Sequence, residues 1–244
     1  MKKNNLIDFL IVLLVYIAFS CLPFGLLKIP SWLISVFQIV AQVLVLFFMI
    51  YFVRRKTKLE HKLEKINLKN SLLLIPTLLV CFSNLVYLVV SKGNVSFIFS
   101  LENILLILLN VFVVLNEEII FRLLLISNLE NKKNWWMVLI SGVVFGLCHI
   151  TRFLSSFNPV DLVVVAYTIP LGLLLAISYL MSKSLIAPIT IHLLFNIFNN
   201  LVFMGNYNDP MFYIVSIIVG IVVALYVTLI IVIKNRNNKK QYIN

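Results

Sequence analysis

Long apolar stretches alternate with short polar segments along the whole chain. The stretches that are long enough to cross a bilayer as helices, at about 20 residues each, fall roughly at 6–27, 33–53, 71–91, 101–128, 135–152, 160–181, 185–204 and 211–233. Glycine and proline occur in several of the gaps, as expected of turns. The pattern predicts an all-α fold: a polytopic transmembrane helical bundle of about eight helices, forming a single integral membrane domain over residues 1–244.

The composition agrees with a membrane protein. Of the 244 residues, 62% are hydrophobic and 12% are charged, and the mean hydropathy is +1.07. Soluble domains are usually about half apolar and about one quarter charged, so lipid is the expected solvent. Cys21, Cys81 and Cys148 lie inside apolar stretches, which favours buried apolar side chains over a disulfide framework.

The positions of the positive charges predict the orientation in the membrane. The net charge is +11, but the basic residues lie between the apolar stretches, which argues against a nucleic-acid partner. With the N-terminus inside, 16 of the 20 lysines and arginines lie on the inner side and 3 on the outer side. Because cytoplasmic loops carry the excess of Lys and Arg, both termini are predicted to be cytoplasmic.

The first long inner loop, residues 54–69, has apolar positions at helical spacing among its charges. It is predicted to form an amphipathic helix on the inner membrane surface, with His61 as a surface histidine. We favour a basic connector held by anionic lipid over a helix that docks a substrate or a partner.

Ionisable residues inside the fourth stretch are the first indication of function. A charged side chain at the bilayer centre costs about 2.5–3.5 kcal/mol on insertion scales. Glu118 and Arg122 are four residues apart and within ion-pair reach on one helix face, whereas Glu117 points about 100° away. One carboxyl should therefore stay charged beside Arg122, and the other is a candidate base near neutral pH. A purely structural clamp is the alternative reading of Glu118 and Arg122.

Two further stretches carry polar residues at comparable depth. His149 lies in the fifth stretch, and His192 and Asn196 share a helix face in the seventh. At a rise of about 1.5 Å per residue, Glu117 and His149 lie ~20 Å from the inner surface, Asn196 ~18 Å and His192 ~12 Å. These four residues are therefore predicted to converge in the inner half or middle of the bilayer. Structural hydrogen bonds between helices are the alternative for each residue taken singly.

Three short motifs occur in a fixed order on these stretches: Glu-Glu-x-x-x-Arg at 117–122, Phe-x-x-x-His at 145–149 and His-x-x-x-Asn at 192–196. With these motifs the chain resembles the CPBP family, which comprises type II CAAX prenyl endopeptidases and the bacterial Abi (bacteriocin self-immunity) intramembrane proteases. The resemblance places a catalytic core at about residues 100–204. The first three stretches carry no family motif that we identify.

The resemblance implies a CAAX prenyl protease 2-like intramembrane endopeptidase of the glutamate type. On that view Glu117 and His149 bind and activate a water, and His192 and Asn196 hold the oxyanion of the tetrahedral intermediate. The supporting residues are Glu118, Arg122 and Phe145.

A zinc ion is the open alternative in this mechanism. We predict that no metal cofactor is needed. If the enzyme depended on a metal, Glu117, His149 and His192 with a water would form a plausible Zn²⁺ ligand set.

The implied substrate is a membrane-associated peptide or protein, and the short loops and basic tail of the sequence fit a bacterial plasma membrane. The eukaryotic branch of the family trims prenylated C-terminal tripeptides, and bacterial relatives are linked to bacteriocin immunity, peptide-signal maturation and surface display. One alternative function is a non-catalytic bacteriocin self-immunity or membrane scaffold protein. Another is a proton-coupled carrier, which should have inverted repeats that we do not find in the sequence.

Overall fold

The structure is a computed structural model, and the part of the chain that it describes is almost entirely helical. Within the described residues there is no β-strand. These residues are 3–24, 27–56, 75–91, 100–126, 129, 134–199 and parts of 214–233.

The helices follow the apolar stretches. In chain order they are α1 (Lys3–Ser20), α2 (Ser31–Lys56), a 3-10 helix (Ile75–Phe82) that runs into α3 (Ser83–Ser91), α4 (Leu101–Glu118) with a π-helical continuation (Ile119–Leu125), α5 (Asn134–Cys148), α6 (Ile150–Ser156), α7 (Val160–Ser182) and α8 (Ile186–Ile197). The described residues between 214 and 233 are also helical.

The predicted all-α, polytopic membrane fold is confirmed. Helical segments long and apolar enough to cross a membrane lie at Ser31–Phe52, Leu101–Leu125, Trp135–Leu154 and Asp161–Ser182. Shorter apolar helices at Leu6–Ser20, Val80–Val89 and Ile186–Ile197 fall within three further predicted spans. The total of about eight spans and the cytoplasmic placement of both termini stay predictions.

The structure changes some boundaries. α1 ends at Ser20 instead of near residue 27, because Pro23 lacks the N–H that would continue the helix and restricts the residue before it. The fifth stretch is not one uninterrupted helix, since His149 forms a turn between α5 and α6. The inner loop 54–69 lies outside the described residues except for its first three positions, which extend α2, and His61 lies outside them as well.

The start of α4 is set by a side-chain cap. Ser100 has extended backbone dihedrals, and its hydroxyl accepts a hydrogen bond from the Asn103 N–H at 3.2 Å. Glu102 in the first turn adds a negative charge where the helix dipole favours it. This cap fixes where α4 begins, and the acidic pair lies at its other end.

α5 and α7 approach each other at backbone contact. A Cβ atom added at Gly142 would lie 2.7 Å from the Leu173 backbone nitrogen, and one at Gly146 would lie 2.8 Å from that of Ile169. On α7, a Cβ at Gly172 would lie 2.9 Å from the Gly142 carbonyl oxygen. Glycines four residues apart permit such close packing of membrane helices, and here the packing fixes the position of α5.

One apolar core joins the helices around the end of α4. Phe121, Phe145, Leu174 and Leu175 are among its fully buried large residues, and α1, α2 and α8 contribute to the same cluster. Large apolar side chains such as Phe47 remain exposed on the outer faces, as expected when lipid surrounds the protein.

We expect Gly142→Ala to destabilise the protein by about 1–3 kcal/mol, because the new methyl group has no space against the α7 backbone. The measurement is unfolding of the purified protein in detergent micelles. Gly220→Ala is the matched control, because its Cβ would meet nothing closer than 3.7 Å. Equal stability of the two variants would contradict the proposed close contact of α5 with α7.

Candidate active site

The acidic pair lies where α4 changes its helical form. Glu117 and Glu118 are buried at the end of α4, and the π-helical continuation begins at the next residue. π-Helical turns are rare and frequently occur at functional sites. Burial of two adjacent carboxyls requires partners for both.

Glu118 is paired with Arg122, as the sequence spacing predicts. Arg122 Nε donates to Glu118 Oε2 at 2.9 Å, and both side chains are fully buried. Arg122 Nη1 donates to Ser141 Oγ at 2.6 Å, and the Ser141 hydroxyl donates to the Phe121 carbonyl at 3.0 Å. The guanidinium also lies 5.1 Å from the centre of the Phe145 ring, within cation–π range.

His192 from α8 is held by the other oxygen of Glu118. His192 Nδ1 lies 2.8 Å from Glu118 Oε1. A carboxylate paired with an arginine can only accept, so the proton of this hydrogen bond belongs to Nδ1. His192 Nε2 is then directed towards Glu117, with 3.6 Å between Nε2 and Glu117 Oε2. This separation is too long for a direct hydrogen bond, and one water molecule can bridge the two atoms.

Glu117 receives its shortest contact from α1. The Tyr16 hydroxyl donates to Glu117 Oε1 at 2.6 Å in a buried hydrogen bond. The Cys148 thiol at the end of α5 lies within electrostatic reach of the same carboxylate. The two carboxylate oxygens thus have different surroundings: Tyr16 occupies Oε1, whereas Oε2 is directed towards His192.

Phe145 lies between His149 and His192, the two histidines predicted to belong to the site. Its ring centre is 5.0 Å from that of His149 and 5.5 Å from that of His192, and both pairs are edge-to-face. His149 Nδ1 lies 3.0 Å from the Phe145 carbonyl oxygen. A carbonyl oxygen can only accept, so this hydrogen bond requires the proton on Nδ1. The other ring nitrogen, Nε2, is then without a proton in the neutral imidazole.

The predicted residues are brought together to different degrees. Glu117, Glu118, Arg122 and His192 form one contact network. His149 reaches this network through Phe145, and among the described residues it makes no ion pair or hydrogen bond with Glu117. Asn196 lies half-buried one turn beyond His192 on α8, and it makes no hydrogen bond within the part of the chain that the structure describes.

The zinc alternative requires Glu117, His149 and His192 to surround one ion. The described residues contain no group of three His, Cys, Asp or Glu side chains arranged to hold a metal ion. Because the residues in this arrangement do not fit the ion, we derive no step through a metal.

Three buried polar partners are missing from the sequence prediction: Tyr16, Gln42 and Ser141. Tyr16 could have been identified from the sequence by its unusual position. Membrane tyrosines usually lie at the interfaces, whereas Tyr16 lies in the middle of the first predicted span. Gln42 is a polar residue in an otherwise apolar stretch. Ser141 carries no signal, because small hydroxyl residues are common in membrane helices.

Comparison with known families finds a match. Residues 99–198 match the model of the family described as type II CAAX prenyl endopeptidase Rce1-like. No curated protein and no solved structure matches the chain. The matched segment runs from the start of α4 to the end of α8 and includes every residue of the three motifs.

The helical membrane fold and the matched segment together support a multi-pass membrane protein of protease type. The resemblance seen in the motifs is confirmed over residues 99–198, whose match supports a CPBP family intramembrane protease. This match supports an intramembrane protease function. The bacteriocin self-immunity subtype stays a prediction.

We expect Arg122→Met to destabilise the protein by about 3–5 kcal/mol, because the Glu118 carboxylate would stay buried without its counter-charge. Unfolding in detergent micelles measures the loss. Arg152→Met is the control, because Arg152 pairs with Asp161 at 3.0 Å with 61% of its side chain exposed, and exposed pairs contribute about 0–1 kcal/mol. An Arg122 variant as stable as the Arg152 variant would show that the buried pair is not needed for the fold.

Proposed function

We propose that this protein is an intramembrane endopeptidase that hydrolyses a peptide bond with a water activated by Glu117. One observation carries the proposal. Glu117 has one oxygen held by Tyr16, and its other oxygen lies 3.6 Å from an imidazole nitrogen of His192. A buried carboxylate with one oxygen directed towards an imidazole nitrogen can bind a water and act on it as a general base.

In the proposed first step, Glu117 Oε2 accepts a proton from the bound water while the water oxygen attacks the carbonyl carbon. His149 supplies the second contact to that water, in keeping with its position beside Phe145 at the same end of α5. The new carbon–oxygen bond places a negative charge on the former carbonyl oxygen.

In the second step, donors stabilise this oxyanion. For this role His192 enters the reaction with a proton on each ring nitrogen: Nε2–H donates to the oxyanion and keeps its proton, while Nδ1–H donates to Glu118. The Asn196 amide donates as a second group once substrate is bound. Preorganised donors of this kind often make the largest single contribution to catalysis.

Collapse of the intermediate breaks the carbon–nitrogen bond, and Glu117 returns its proton to the leaving amine. Glu118 and Arg122 act as supports in both steps, because they fix His192 without touching substrate. The apolar surroundings exclude bulk water and strengthen each of these interactions.

We further propose that the substrate is a membrane-associated peptide or protein, such as a leader peptide, in a bacterial plasma membrane. The exposed apolar outer faces of the helices support a substrate that is itself held in or at the membrane. A role in bacteriocin immunity, peptide-signal maturation or surface display would follow from which peptide is cut.

We expect Glu117→Gln to lower the cleavage rate by about 10²–10⁴-fold, because the amide cannot accept the proton from water. Mass spectrometry of peptides released from membranes that contain wild-type or variant protein identifies the substrate, and the purified proteins then give the rate. Glu102→Gln is the control, since Glu102 is an exposed glutamate in the first turn of α4.

Undiminished cleavage by the Glu117→Gln protein would remove Glu117 as the base. Identical peptides from membranes with wild-type protein, Glu117→Gln protein and no protein would instead favour the non-catalytic immunity or scaffold function.

We also expect the purified enzyme to keep its activity after dialysis against a strong zinc chelator, because the proposed steps use only side chains and water. Cleavage rate and bound metal are measured on the same sample. Activity that disappears with the metal and returns when Zn²⁺ is added would contradict the metal-independent mechanism.

A further inference from the structure

Tyr16 lies outside the segment that matches the family, yet it makes the shortest hydrogen bond to Glu117. It is part of α1, its side chain is buried with 7% exposure, and its hydroxyl lies 2.6 Å from Glu117 Oε1. This distance falls in the range of about 2.5–2.7 Å that is typical of an O–H donor to a carboxylate.

A second set of contacts runs from the residue before Glu117 on α4 to α2, and from α2 to α1. Asn116 Nδ2 donates to the Gln42 side-chain oxygen at 2.7 Å and to the Gln42 backbone carbonyl at 3.0 Å. Gln42 Nε2 in turn donates to Ser20 Oγ at 3.1 Å. Ser20 lies one turn beyond Tyr16 on α1, close enough to interact with the phenol.

These contacts form a polar path that leaves α4 at Asn116, crosses α2 and α1, and returns to α4 at Glu117. Asn116, Gln42, Tyr16 and Glu117 are buried, where a polar group without a partner would be costly, whereas Ser20 is exposed at the end of α1. The path fixes α1 against α4 at the height of the acidic pair. Because hydrogen bonds are directional, this path defines the relative position of α1 and α4 more closely than the surrounding apolar contacts do.

The consequence for Glu117 is that its two oxygens are not interchangeable. Tyr16 fills the Oε1 position, so the carboxylate cannot rotate freely, and Oε2 is kept towards His192. A hydrogen bond from a supporting residue locks the rotamer of a functional side chain and so holds it in the geometry that the reaction needs.

We propose that Tyr16 is a positioning residue for Glu117, and that α1 and α2 complete the active site of the segment formed by α4 to α8. This inference rests on the proposed peptidase function. Tyr16 acts through Glu117 and does not touch substrate, so its removal should lower kcat and leave KM nearly unchanged.

The test compares Tyr16→Phe with Tyr87→Phe, both in the full-length protein and with the substrate identified for the wild type. Tyr87 in α3 is also buried, at 3% exposure, and lies in a different apolar cluster. We expect Tyr16→Phe to lower kcat by on the order of 10–100-fold, the usual effect of losing a hydrogen bond that orients an active-site group. Tyr87→Phe should keep the wild-type kcat.

A second variant separates hydrogen bonding from packing. Para-methylphenylalanine at position 16 fills the volume of the hydroxyl without donating, so it preserves the packing if Tyr16→Phe does not fold. We expect it to show the same loss of kcat, whereas para-aminophenylalanine, which retains an N–H donor, should restore part of the activity.

The outcomes distinguish this inference from the function on which it rests. An active wild type, an inactive Glu117→Gln variant and an unchanged kcat in both non-donating Tyr16 variants would overturn the role of Tyr16 alone. A wild type without cleavage, or a fully active Glu117→Gln variant, would overturn the proposed function itself.

Discussion

Glu118 and Arg122 form an ion pair with both side chains fully buried, inside a helix apolar enough to span a membrane. Removing two such charges from water costs several kcal/mol per ion, and only good geometry with additional hydrogen bonds offsets this cost. Ser141 and His192 supply those hydrogen bonds. Because an arginine stays protonated, Glu118 has to stay ionised, and an ionised Glu118 requires a proton on Nδ1 of His192. The buried pair thus determines which nitrogen of His192 is directed towards Glu117.

The rest of the fold serves to bring partners to this pair. The glycine contact with α7 holds α5, and α5 carries both Ser141 and the Phe145 ring against Arg122. α8 delivers His192, and α1 delivers Tyr16 to the carboxylate that the ion pair leaves unneutralised. The π-helical continuation after Glu118 lies where these helices meet, so the irregular backbone and the polar cluster coincide. A site assembled from four helices in this way depends on the packing of the whole bundle.

The sequence allowed much of this to be predicted, for identifiable reasons. Hydropathy revealed the long spans because lipid imposes a minimum length on them, and the four-residue spacing of Glu118 and Arg122 predicted their pairing. The break at His149 was missed, since the apolar pattern continues through it. The π-helical segment was missed as well, because hydropathy is the same for α- and π-helices. Tyr16 and Gln42 were missed because their partners are distant along the chain, and neither periodicity nor a short motif reports a contact between α1, α2 and α4.

The protonation state of His192 tests the central claim most directly. The chain has only three histidines, so ¹⁵N-histidine labelling of the protein in lipid bilayers gives few signals, and the spectrum of a His192→Gln variant assigns the one that matters. The account predicts a protonated Nδ1 at neutral pH, hydrogen-bonded to a carboxylate. An unprotonated Nδ1 would contradict it, because Glu118 Oε1 would then have no donor from His192 and His192 would not be held towards Glu117.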